Sequence, residues 1–201
     1  MKKYLFAVLL SGVCATTTLA QTEERDFIRT SIVAGIGANQ IEGDVIKGYT
    51  KPGAILGAAA RFSITDKLAF QPEVLYSQKG SRSTEEQFNA HGYIRWKLNY
   101  VEIPVLLTYE IFPKFTLLGG GTFGYLLGAK QDFSGVGYED QTDLFNKTDL
   151  LWVAGLEYQI WDALSLDMRM SRSLVAVSKV PMPRYFYNNS IGLTLRYHLG
   201  Q

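Results

Sequence analysis

The residues able to do chemistry are few. His91 and His198 are the only histidines. His91 would need a nearby serine and a carboxylate such as Glu85 or Glu86 to form a hydrolytic triad. No Gly-x-Ser-x-Gly elbow is present in the sequence. A metal site would need carboxylates beside these histidines, and no closely spaced histidine cluster supplies it. Gly119-x-Gly121-x-x-Gly124 matches the dinucleotide-binding string. That chemistry requires a helix straight after the glycines, whose N-terminus would meet the phosphates. Here Tyr125, Leu126 and Leu127 continue a strand pattern instead. Two long polar stretches hold clustered charge. Residues 80–95 and their flank carry Lys79, Arg82, Glu85, Glu86 and Arg95. Residues 131–147 carry Asp132, Glu139, Asp140 and Asp143 with Phe133, Tyr138 and Phe145, and could meet a cation or a basic partner. None of this assigns a catalytic, cofactor-binding or metal residue, and the chain is read as non-enzymatic with no cofactor.

The elements that would carry these residues repeat in twos. Leu164, Leu166, Met168 and Met170 fall on one face, with Ser165, Asp167, Arg169 and Ser171 on the other. That is the period of a strand, not of a helix. Gln71, Glu73, Ser77 and Lys79 oppose Leu68, Phe70, Val74 and Tyr76, and Ile191 to Leu199 alternates likewise. Strands are expected over 28–39, 53–64, 68–79, 96–110, 115–130, 148–160, 163–173 and 185–199. Most reach the about 9–11 residues that a tilted strand needs to cross a bilayer. In the fourth, Trp96, Leu98 and Tyr100 keep one apolar phase and Val101 to Tyr109 the other, which predicts a β-bulge near Tyr100. Pro72 and Pro104 each remove a ladder donor, so each needs a bulge or a locally open pairing.

The connections alternate in length. Thr65 to Lys67, Ile111 to Lys114 and Trp161-Asp162 are short; Asn39 to Pro52, Gly80 to Arg95, Gln131 to Lys147 and Leu174 to Arg184 are long and polar. Short turns at one end and long loops at the other describe an all-β, eight-stranded, antiparallel up-and-down transmembrane β-barrel. Its oily face would look outward and its polar face, with Arg61, Glu73, Glu102, Glu157, Asp167, Arg169 and Arg196, would look inward and pair. Such a narrow barrel is filled by side chains, so no open pore is expected. Tyr109, Phe112, Phe115, Tyr158, Trp161 and Tyr197 would form one aromatic girdle, and Tyr76, Trp96, Tyr125 and Tyr185 the other. The alternative arrangement is a soluble secreted barrel of lipocalin type, with its apolar face inside around a small apolar ligand. A barrel enzyme acting on lipid or peptide is the third.

Lys2 and Lys3, the apolar stretch Tyr4 to Val13 and the close Thr18-Leu19-Ala20 have the layout of a secretory signal peptide cut after Ala20. Residues 1–20 are therefore read as the signal and 21–201 as one barrel domain. Lipidation at Cys14, the only cysteine, is disfavoured by Val13 in front of it. With 20 Lys+Arg against 19 Asp+Glu, nothing in the charge points to nucleic acid. The expected partners are outer-membrane lipid and proteins meeting the long loops. The expected place is the outer membrane of a Gram-negative bacterium.

Four segments carry a family resemblance: Phe70 to Gly80 (FQPEVLYSQKG), Tyr100 to Leu107 (YVEIPVLL), Phe115 to Leu127 (FTLLGGGTFGYLL) and Asn189 to Tyr197 (NSIGLTLRY). Together they resemble the PorT-type outer-membrane β-barrel family of the Bacteroidetes, from about Ile28 to the C-terminus. The resemblance implies an eight-stranded outer-membrane barrel. It also implies a link, made for the family's founding member, to export and maturation of secreted proteases through the type IX secretion system, and it brings no catalytic residue. Ser190, Gly192, Leu195 and Tyr197 further resemble the C-terminal signal read by the barrel-assembly machinery, with His198 to Gln201 trailing where that signal usually stops.

Overall fold

The computed structural model describes residues 27–133, 135–182 and 184–199. The expected signal peptide, with Cys14, lies outside them. Eight strands close a barrel: β1 (Ile28–Glu42), β2 (Lys51–Ser63), β3 (Leu68–Lys79), β4 (Arg95–Phe112), β5 (Phe115–Asp132), β7 (Thr148–Trp161), β8 (Leu164–Ser173) and β9 (Tyr187–Leu199). A two-residue strand, β6 (Glu139–Asp140), pairs with the end of β5. Each barrel strand pairs antiparallel with its neighbours in sequence, and β9 pairs with β1 to close the ring. Closure leaves no strand edge, the condition for a sheet to sit in hydrocarbon.

The faces follow the alternation read from the sequence. In β8, Ser165, Asp167 and Arg169 are buried while Met168 and Met170 are exposed on the outer wall. Ile32, Ile36, Leu56, Val74, Leu107, Leu117, Leu150, Leu193 and Leu195 share that wall. The charged face is inside, so the lipocalin-type arrangement with an apolar lumen is overturned. The reason is energetic: an arginine turned to lipid near the midplane would cost about 2–4 kcal/mol. A one-residue slip in β8 would expose both Asp167 and Arg169 at once.

The chain turns back tightly at one end of the barrel. Thr65 Oγ1 accepts from the backbone N–H groups of Lys67 (3.3 Å) and Leu68 (3.0 Å), which folds the β2–β3 link into a compact turn. Lys114 takes a positive φ of 73° in the β4–β5 turn. At the other end lie the four long connections. Tyr109, Phe112, Phe115, Tyr158, Trp161 and Tyr197 all face outward near the tight turns. The opposite girdle is different from expectation. Tyr125 faces out and Tyr185 is exposed in the β8–β9 loop, but Trp96 points inward and is buried.

The same fact corrects the reading of β4. Its even-numbered residues from Trp96 to Thr108 are all buried, so its phase is unbroken. The apolar residues change sides because the lumen lining itself changes, from ionic at mid-height to aromatic near the long loops. A bulge does lie beside Tyr100, but the extra residue belongs to β5. Asn99 pairs with Gly128 and Tyr100 with Leu126, which leaves Leu127 unpaired. Pro72 and Pro104 are accommodated without a change of register. The β2–β3 ladder opens at Gln71 and Pro72, and the β3–β4 ladder opens opposite Ile103 and Pro104.

The glycine run of β5 sits in mid-strand, with no helix after it. A Cβ added at Gly120 would run into the carbonyl oxygen of Val105 on β4, whereas at Gly121 its nearest neighbour would be Leu151 O at 3.8 Å. The run therefore serves close strand approach, not phosphate binding. Gly120→Ala should lower barrel stability by about 1–3 kcal/mol, and Gly121→Ala should leave it within experimental error. Urea unfolding in phospholipid vesicles, followed by heat-modifiable gel mobility, measures both.

Candidate functional site in the lumen and loop crown

Inward alternation on five strands delivers charge to mid-lumen. β2 supplies Arg61, β3 supplies Gln71 and Glu73, β7 supplies Glu157, β8 supplies Asp167 and Arg169, and β9 supplies Arg196. Arg169 Nη1 donates to Glu73 Oε2 at 2.8 Å, and its Nη2 to Glu73 Oε1 at 3.3 Å. The same guanidinium binds Asp167 on its own strand. Arg196, only 1% exposed, donates from Nη2 to both Glu73 Oε1 and Asp167 Oδ2 at 2.9 Å, and its Nε lies 3.4 Å from Glu157 Oε2. Arg61 donates to Glu157 Oε2 and to Gln71 Oε1, each at 2.6 Å. Gln71 passes its own N–H to Glu73 at 2.7 Å.

Strand order gives this network its mechanical meaning. Around the ring β3 and β8 are four strands apart in either direction, and so are β2 and β7. Glu73–Arg169 and Arg61–Glu157 therefore span the barrel diameter. Each charge is taken out of water, which costs several kcal/mol, and recovers it only through several well-aligned partners. The charges balance within the layer, three guanidinium groups against three carboxylates.

Toward the tight turns, both ring nitrogens of His198 are taken up by hydroxyls. Ser31 Oγ lies 3.2 Å from Nδ1 and Ser165 Oγ lies 2.9 Å from Nε2. This buried bridge ties β1, β9 and β8 together, and no carboxylate orients the ring as a triad requires. The other histidine, His91, ends a short helix, and its side chain lies outside the described residues.

Toward the long loops, Lys79 Nζ meets Glu102 Oε1 at 2.5 Å. Lys79 thus belongs to the lumen rather than to the loop it precedes. A cavity of about 40 Å³ lies here, lined among others by Lys79, Glu102, Thr122, Arg169 and Thr194. Above it, Asn188 Nδ2 donates to Asp149 Oδ2 at 2.9 Å and to the Tyr100 hydroxyl at 3.2 Å, and Ser173 donates to Asp149 at 2.9 Å. The mouth is then closed by apolar side chains: Ile41, Trp96, Leu98, Leu126, Phe145, Val177 and Phe186. Trp96 packs edge-on against Phe145 at 5.2 Å and Phe186 at 5.9 Å between ring centroids. Phe145, one of the three aromatics of the 131–147 stretch, is fully buried, because the loop folds back over the mouth.

The long loops form two tied pairs. In the first, the β1–β2 loop meets the β3–β4 loop. Asp44 Oδ1 accepts from the Ile46 amide at 2.9 Å, and its other oxygen accepts from Ser81. Burial pushes the Asp44 carboxyl up to about 6, against these two hydrogen bonds. The β3–β4 loop carries helix α1 (Glu85–His91), whose Thr84 and Gln87 form a capping box. Gln87 Nε2 also reaches Lys47 O at 2.8 Å. In the second pair, the β5–β7 and β8–β9 loops exchange backbone bonds, Asn146 N to Val177 O at 2.8 Å and Lys179 N to Leu144 O at 2.9 Å. A cleft of about 290 Å³ opens on this crown, with Asp44, Ile94, Trp96, Phe133, Leu144 and Met182 among its walls.

The acidic residues of 131–147 do not converge. Asp132 accepts from the Gly135 amide and Asp140 from the Thr142 amide, so each serves its own turn. No cluster of His, Cys, Asp or Glu able to hold a metal occurs among the described residues. The diametric ion network was foreseen in its members, but the aromatic lid was not. Its sequence signal was the switch of apolar phase at Tyr100 combined with an aromatic in each of the two last loops.

Comparison with known proteins agrees with the geometry. Residues 19–178 match the family model described as outer membrane protein beta-barrel domain. No curated protein matches the sequence. Among solved structures, the chain is similar to Ail, the attachment invasion locus protein of Yersinia pestis, determined with the heparin analogue sucrose octasulfate. The TM-score is 0.52 and the identity 17%, covering 86% of this chain and 99% of that one. Neisserial surface protein A gives a TM-score of 0.51 at 13% identity, covering 85% and 96%. A major outer membrane protein from Thermus thermophilus gives 0.51 at 13%, covering 86% and 99%. These likenesses are of fold.

Arg196→Met should destabilise the barrel by about 3–5 kcal/mol, because it leaves Glu73, Asp167 and Glu157 to share two guanidinium groups in a buried site. Urea titration in phospholipid vesicles reads this as a lowered unfolding midpoint.

Proposed function

The chain belongs to the outer membrane protein beta-barrel domain family, and from that membership we propose that it is a non-enzymatic barrel that works through its loop crown and not through its lumen. Its place is the outer membrane. The observation that carries the reading is the pair of ion bridges across the diameter, Glu73–Arg169 and Arg61–Glu157, beneath an aromatic lid. A lumen so occupied is built for rigidity. The surface left to engage other molecules is the crown, where Phe88, Phe133, Val136, Tyr138, Leu174 and Tyr185 are exposed.

In this reading the tight turns and both ends of the domain face the periplasm, and the long loops face outward. Residues 1–20 are removed after Ala20, and residues 21–201 form the mature domain. The assembly machinery reads the last strand, where Tyr197 faces outward between Ile32 and Leu164. The sequence resemblance to the PorT type favours a partner in protein secretion, and the paired loops supply a firm surface for one. Ail was solved with a heparin analogue; this chain's own crown has a cleft with aromatic and aliphatic walls, which favours an apolar or mixed partner.

Purified protein in planar bilayers tests the claim that the lumen is not the working part. The expected result is no stable conductance step for the wild type. A steady ohmic channel in the wild type would contradict the reading.

A further inference from the structure

The bulge at Leu127 has a chemical result. Before it, Thr122, Gly124 and Leu126 of β5 are buried; after it, Ala129 and Gln131 are. Without the extra residue Lys130 would point into the lumen. With it, Lys130 points outward, on the same wall as Lys97 of β4, and the two are direct cross-strand partners. Like charges in that position repel and weaken a sheet. The fold thus brings two cations together at the outer rim by means of an irregularity, which is how bulges re-aim side chains.

The surroundings cancel this charge only in part. Arg82, Arg95 and Lys97 all lie within electrostatic reach of Lys51. Arg82 and Arg95 are themselves bridged across the β3–β4 link. Asp132 stands opposite Arg95, Asp140 opposite Lys130 and Glu139 opposite Gln131, so three carboxylates face the five cations Lys51, Arg82, Arg95, Lys97 and Lys130. The wall below them is oily, with Tyr125, Phe123 and Ile103 exposed on it. Between oil and charge runs a polar chain: Gln78 Nε2 donates to the Tyr76 hydroxyl at 3.1 Å, which donates to Asn99 Oδ1 at 3.2 Å. Apolar wall, hydrogen-bonding rung and cations follow in the order in which a phospholipid or glycolipid presents its acyl chains, its polar backbone and its phosphate.

We propose that the outward face of β4 and β5 at Lys97 and Lys130 docks the phosphate groups of an anionic glycolipid of the outer leaflet. The leaflet rests on the orientation proposed above; the contact itself does not. Each lysine near an anionic headgroup should contribute about fivefold in affinity.

The test uses bisphosphorylated lipid A titrated into the full mature barrel in detergent micelles, with bound lipid counted by native mass spectrometry. Folding of every variant is checked by heat-modifiable mobility. Lys97→Gln/Lys130→Gln should weaken binding about 25-fold and Lys130→Gln alone about fivefold, while Lys67→Gln in the β2–β3 turn should not change it. Dephosphorylated lipid A should bind the wild type as weakly as the phosphorylated form binds the double variant. Undiminished binding by the folded variants would overturn the proposal. So would equal binding of dephosphorylated lipid A, or displacement of lipid A by millimolar inorganic phosphate, which would assign the site to a free anion. Protease access to the loops on intact cells reads the orientation separately, so a failure of that reading is distinguishable from a failure of this one.

Discussion

Burying charge inside a closed sheet is the constraint on which the rest of this molecule depends. Glu73, Asp167 and Glu157 with Arg61, Arg169 and Arg196 form one connected layer drawn from five strands. No member can leave without stranding a partner in a low-dielectric interior. The network therefore specifies register: only one alignment of β3 with β8 across the lumen lets Glu73 meet Arg169 where Asp167 and Arg196 also reach it. In hydrocarbon the outer wall gives little such information, because one aliphatic side chain there is much like another.

Above this layer the lumen changes character, and the change explains several irregularities together. Lys79–Glu102 and the Asp149–Asn188–Tyr100 cluster bridge from ionic to aromatic packing. Trp96, Phe145 and Phe186 then form a lid to which β4, the β5–β7 loop and the end of the β8–β9 loop each give a ring. The loops are consequently part of the core. Their tips carry exposed apolar groups, yet their bases are fixed by backbone bonds such as Asn146 N to Val177 O. A firm base under an exposed tip is the arrangement by which loops bind without first being ordered.

The strands and the facing of their charges were legible because period-2 alternation is strict where one face must be oily and the other ionic. Asp167 and Arg169 set between Leu166, Met168 and Met170 leave one solution. What was not legible follows from places where both faces are apolar. At Trp96, Leu98 and Tyr100 the lumen itself is oily, so hydropathy no longer marks inside from outside, and the phase change in β4 was misread. The bulge is real, but its extra residue is Leu127 of β5, a leucine among leucines and glycines, with nothing in its type to mark it. The burial of Phe145 was not legible either, because burial by a returning loop leaves no periodic trace. Helix α1 did carry a signal, Thr84 with Gln87 three residues on, too short to stand out from a polar stretch.

The claim that oily side chains meet lipid while ionic ones meet each other is tested most directly by spin labels placed one at a time along 165–171 in membrane-reconstituted protein. Labels at Leu166, Met168 and Met170 should collide with oxygen dissolved in the bilayer, and labels at Ser165 and Ser171 should be shielded from it, giving an accessibility profile of period two. A profile without that period, or with the serine positions exposed to oxygen and the methionine positions shielded, would contradict it.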